Sequence, residues 1–143
     1  MADDFYATAK RMHKSSKTLH NNSEYHNACY LAGYVVECYA KIIVGLSYDF
    51  VPSELGKEFS HDLKELNKEL QYVITYSTYS AYIVNMRTDF STILLNVTKW
   101  HPIKRYTSNT NTWNQQNSND FQAEIQLAMQ KLAQMKIDGH ILI

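Results

Sequence analysis

The chain has 143 residues, fourteen Lys plus Arg against fourteen Asp plus Glu, and a formal net charge of zero. That length suits one domain with its own hydrophobic core, with no need for a metal or disulfide staple. The charge balance excludes the extended basic field that drives non-specific nucleic-acid binding, so any RNA or nucleotide contact has to be local.

Phe5, Ala9, Met12, Ser16 and Leu19 recur at four- and three-residue steps, which predicts an amphipathic first helix with one buried stripe. After the polar break His20-Asn21-Asn22-Ser23, where Asn22 or Ser23 can cap a helix start, residues Tyr25 to Leu46 are apolar on nearly every side. Such a helix belongs at the centre of the domain. Gly45 and the Val51-Pro52 step are expected to end it, with Ser53 available as the next cap.

Leu55, Phe59, Leu63, Leu66 and Leu70 then predict a short turn followed by a helix that begins near His61-Asp62. The steps Tyr79, Ile83, Met86, Phe90, Ile93, Val97 and Trp100 predict one long helix of about six turns. The polar segment 107–119 reads as a mobile surface loop with Trp113 as its one large apolar group. A last helix carries Phe121, Ile125, Ala128, Leu132 and Met135, opened by Asn119 or Asp120 and closed near Gly139. No segment alternates with period two, so an all-α bundle of about five helices in a single domain, 1–143, is expected, and no sheet.

The only cysteines, Cys29 and Cys38, lie nine residues apart on the central helix, a rise of roughly 13.5 Å that rules out a disulfide between them. Two packed thiols follow. The acidic start and the lack of an apolar run of membrane-spanning length predict a cytoplasmic protein without a membrane segment. Eleven tyrosines suit helix seams and interfaces, where a ring is buried and its hydroxyl stays wet.

Glu58-Phe59-Ser60-His61 matches one half of the carboxylate-bridged di-metal pattern, but such sites need a second copy that this chain lacks. His-Glu-x-x-His, paired Cys-x-x-Cys and Gly-rich phosphate loops are also absent, so no metal and no cofactor is expected. Glu37 and Lys41 interrupt the apolar run Leu31 to Val44 at a spacing that favours a side-chain pair. They either emerge on an exposed strip or form a buried polar network, since a buried charge needs a partner. Trp100-His101-Pro102-Ile103-Lys104-Arg105-Tyr106 reads as a basic closure of the long helix.

The segment Ala32 to Lys41, a small-residue pair followed by Glu37 and Lys41, resembles the second-helix pattern of HEPN domains (higher eukaryotes and prokaryotes nucleotide-binding domain). His61-Asp62-Leu63 and Arg105-Tyr106 after a Trp and a Pro are similar to that family's other landmarks, in order, over roughly Phe5 to Met135. The resemblance implies an up-and-down bundle, a homodimer, and a place among toxin–antitoxin or defence proteins, with a minimal nucleotidyltransferase as a possible partner. The family's ribonucleases carry Arg, four to six residues, then His. Here Arg105 is followed at those positions by Thr110, Asn111 and Thr112, Arg87 by Thr92, Ile93 and Leu94, and Arg11 by Ser16, Lys17 and Thr18. Metal-independent RNA cleavage needs an acid and a base near neutral pH, which Thr and Asn do not supply.

The expected function is therefore a noncatalytic module that binds a nucleotide, RNA or a partner protein. Its candidate site is Glu37, Lys41, His61, Arg105 and Tyr106, with Glu37 and Arg105 in salt-bridge reach. A ribonuclease using His61 or His101 as a substitute and a purely structural bundle are the alternatives.

Overall fold

A computed structural model describes residues 2–48, 60–95 and 98–141. Among them there is no strand, and the fold is all-α. Four helices carry the architecture: α1 (Ala2–Asn21), α2 (Tyr25–Tyr48), α3 (Leu63–Val73) and α6 (Gln115–Ile137). Two single-turn helices, α4 (Met86–Asp89) and α5 (Ser91–Leu94), lie between α3 and α6.

The expected stripe of α1 faces inward, with Ala9 and Ser16 fully buried. Ser16 is tolerated because its hydroxyl donates to Ala28 O at 2.7 Å and accepts from Gln122 Nε2 at 2.8 Å. Near the same end His20 Nδ1 and Ser118 Oγ share a hydrogen bond of 2.7 Å, so α1 packs against both α2 and an antiparallel α6. Asn22 and Ser23 close α1 rather than opening α2. The Asn22 amide donates back to Thr18 O, and Ser23 takes φ +63° while Glu24 N bonds to Leu19 O, the closure a helix makes with a left-handed residue just past its end.

α2 is the central helix and runs through Gly45 to Tyr48, the last described residue before the expected Val51-Pro52 step. By length and composition it is apolar enough to cross a membrane, contrary to expectation, and 78% of its most apolar stretch is buried inside the bundle. Cys29 and Cys38 are free and buried as expected. α3 begins after Asp62, which accepts from Glu65 N at 3.1 Å. Val51-Pro52, Ser53, Leu55, Glu58 and Phe59 lie outside the described residues, as does Val97.

The long helix expected over Tyr79–Trp100 does not form. A 3-10 turn (Ser80–Tyr82), α4, α5 and extended residues replace it. The apolar residues still point inward, since Met86, Phe90 and Ile93 are fully buried. What differs is who accepts the backbone protons. Tyr39 Oη takes Val84 N, Asn67 takes Met86 N, Asn85 takes Arg87 N, and the Glu124 carboxylate takes Thr92 N and Ile93 N. Side chains, all but Asn85 from outside the segment, thus satisfy groups that a continuous helix would pair internally.

Segment 107–119 also departs from a mobile loop. Trp113 is 1% exposed and donates from Nε1 to Thr98 O at 2.8 Å. α6 opens at Asn114, whose side chain and that of Asn117 form a reciprocal cap, several residues before the expected Asn119 or Asp120. Its predicted stripe is fully buried and it closes at Gly139, φ +87°, as expected.

Candidate functional site

Glu37 and Lys41 form a buried network, not an exposed strip: they are 6% and 5% exposed. Lys41 Nζ lies 3.5 Å from Glu37 Oε2, and His61 Nδ1 lies 2.6 Å from Glu37 Oε1. A carboxylate only accepts, so His61 donates from Nδ1 and its Nε2 is turned away from Glu37. The His61 side chain is 45% exposed, which makes it the wet end of the network.

Trp100 walls the site from the other side. Its Nε1 donates to Tyr30 O at 2.8 Å, and its ring meets Tyr34 edge-on with centroids 4.9 Å apart. Gly33 allows this approach, since a Cβ there would lie 2.0 Å from the Trp100 ring. Tyr34 shares a 2.9 Å hydrogen bond with Tyr30 and stands edge-on to His61. Burial raises the Tyr34 phenol above its ordinary range, the Tyr30 hydroxyl and the Glu37 carboxylate add to this, and Arg105 opposes it.

His61, Trp100 and His101 line a cleft of about 380 Å³ with an apolar floor that includes Ile93, Leu94 and Pro102. Lys64 and Lys99 stand on its rim, exposed and without an ion pair among the described residues. His101 Nδ1 accepts from Ile103 N at 3.1 Å and so caps the 3-10 turn Pro102–Tyr106.

The five expected site residues therefore divide. Glu37, Lys41 and His61 come together, whereas Arg105 and Tyr106 sit exposed on the 102–106 turn. The expected Glu37–Arg105 ion pair is absent, because Lys41 and His61 already occupy the two Glu37 oxygens. Arg105 reaches the site only through its field on Tyr34, and its guanidinium lies 5.9 Å from the Tyr106 ring centre. Residues 100–106 form no helix closure. Instead, His26 Nε2 donates to Lys104 O at 3.1 Å and ties the turn to α2.

Tyr30, Tyr34, Lys64 and Lys99 were not singled out in the sequence. Gly33 inside an apolar helix was the available signal, since such a glycine marks a close approach. Among the described residues no group of three or more His, Cys, Asp or Glu gathers to hold a metal. Comparison with protein-family models, curated proteins and solved structures finds no match.

Proposed function

We propose that the protein is a noncatalytic binding module of the HEPN type, cytoplasmic, which takes the phosphate group of a nucleotide or RNA in the cleft beside His61. The observation that carries this reading is the convergence of His61, His101, Lys64 and Lys99 over one apolar floor, with His61 held in place by Glu37. The ammonium groups of Lys64 and Lys99 above an apolar base suit a ligand with an anionic group and a flat body. The family reading draws support from the meeting of Gly33, Glu37, Lys41, His61 and Trp100 in one place, since these carry much of the resemblance. Titration of Trp100 fluorescence with AMP, ATP and a short RNA tests it. Binding that is the same in the parent and in a Lys64→Gln/Lys99→Gln variant would overturn it.

A second reading, a metal-independent ribonuclease, is favoured by one observation. His61 turns Nε2 away from Glu37, where the neutral ring offers a base, whereas His101 accepts at Nδ1 and so carries its proton on Nε2, suited to an acid. Incubation with labelled single-stranded RNA in chelator separates the two. Cleavage lost in both His61→Ala and His101→Ala selects the enzyme. The HEPN reading also carries a homodimer and a nucleotidyltransferase-type partner, for which exposed Tyr72, Tyr76, Ile103 and Tyr106 offer apolar surface. Light scattering tests the dimer.

A further inference from the structure

We infer that the ligand is a single-stranded polynucleotide, not a mononucleotide, and that it runs from the cleft along α3 toward Arg87; this rests on the phosphate-binding reading above. The cleft does not end at Lys64. Lys64 and Leu94 also line a second trough of about 330 Å³, which continues past Lys68 to Arg87 and Leu95. Lys99, Lys64, Lys68 and Arg87 thus mark one continuous track, all exposed, and none forms an ion pair among the described residues.

In a chain with equal numbers of acidic and basic residues, four unpaired cations on one path form a local basic stripe. The carboxylates along it are Asp62, which is engaged in capping α3, and Glu65. Lys64 and Lys68 stand one helical turn apart, roughly 6 Å along the axis, so they present charges in series and not around one point. A single phosphate would leave Lys68 and Arg87 unused, whereas a strand would meet each in turn. The apolar floor of Ile93, Leu94 and Leu95 beneath the track offers base faces a surface without sequence preference. A duplex would present its phosphates on a wide convex surface that a trough of this size does not receive.

Fluorescence anisotropy with labelled uridine oligomers of one, two, four and eight nucleotides tests the inference, with parent protein and a Lys68→Gln/Arg87→Gln variant. Neither side chain makes a hydrogen bond or ion pair among the described residues, so circular dichroism should show the variant folded. Affinity is expected to rise with length to a plateau and to fall with salt at a log–log slope of about −3 for four neutralised phosphates. The variant should lose roughly tenfold or more on the octamer and nothing on the mononucleotide. A DNA octamer distinguishes the two strand chemistries, and binding of either supports the proposal. A mononucleotide that binds as tightly as the octamer, with the variant unchanged, overturns the inference and leaves the phosphate-binding reading standing. Equal binding of a short duplex also overturns it. If neither mononucleotide nor octamer binds, both readings fail.

Discussion

His61 donates its Nδ1 proton to Glu37 Oε1 across 2.6 Å, which ties the start of α3 to a carboxylate in the middle of the most apolar helix. The bond couples burial to exposure: Glu37 is sealed in the core while the imaidazole it orients reaches solvent. Lys41 compensates the same carboxylate from one turn further along α2.

Breaking that compensation on one side should be costly. Glu37→Gln keeps the shape but leaves the Lys41 ammonium buried without a counter-charge, and loss of one partner of a buried pair costs about 3–5 kcal/mol. Urea denaturation should show this loss, and adding Lys41→Met should recover most of it. A Glu37→Gln loss below about 1 kcal/mol would mean that the pair is effectively hydrated.

Gly33→Ala should displace Trp100. A methyl 2.0 Å from the indole cannot be accommodated where the ring now lies, and overpacking of this kind costs about 1–3 kcal/mol, more than the roughly 1 kcal/mol that alanine gains over glycine in a helix. The expected result is a lower melting temperature with a red-shifted tryptophan emission. A stabilised protein with an unchanged spectrum would contradict the packing of Trp100 on α2.

Trp113→Ala should cost about 3–5 kcal/mol, the usual range for removing a buried Trp, although its neighbours in sequence are almost all polar. Truncation also leaves Thr98 O without its indole donor. Limited proteolysis should then cut within residues 107–112 in the variant and spare the parent. A melting temperature equal to that of the parent would restore the picture of a free loop.

Alkaline pH should destabilise the fold through its thiols. Burial pushes Cys29 and Cys38 from 9.0 up to about 12. Below pH 9 the thiols are neutral in both states and their contribution is intact. Above it the unfolded chain gives up protons that the folded chain keeps, so stability falls between pH 9 and about 12. Urea midpoints at rising pH should decline across that window, less steeply in Cys29→Ala/Cys38→Ala. At pH 8 a thiol-reactive dye should label the native protein only after denaturant is added. Rapid native labelling would show that the thiols are accessible.

The sequence made α1, α2 and α3 legible because each buries a stripe or a whole surface through its own periodicity. The same periodicity misled over residues 79–100. Spacings of three and four place Met86, Phe90 and Ile93 inward whether the backbone is one helix or a chain of turns. The choice was made by distant acceptors, Asn67, Tyr39 and Glu124, which no local pattern reveals. At the site, Glu37 and Lys41 stood out as charges in an apolar helix, and His61 through its place at the start of α3. Trp100 was read as the end of a helix that does not exist. Its role depends on the notch at Gly33, a tertiary property. Arg105 was the natural partner for a buried carboxylate, but nearer donors, Lys41 on α2 and His61 just before α3, reach it first.

The hydrogen bond from Gln122 to Ser16 joins residues 106 positions apart, and its consequence is temporal. α1 and α2 can pair as soon as both have left the ribosome, but the buried Ser16 hydroxyl keeps an unfilled acceptor position until α6 has been synthesised. Contacts of such sequence separation slow folding, because a long loop must close before they form. The early hairpin is therefore expected to wait, with one wall of its apolar centre uncovered, for the last long helix to arrive.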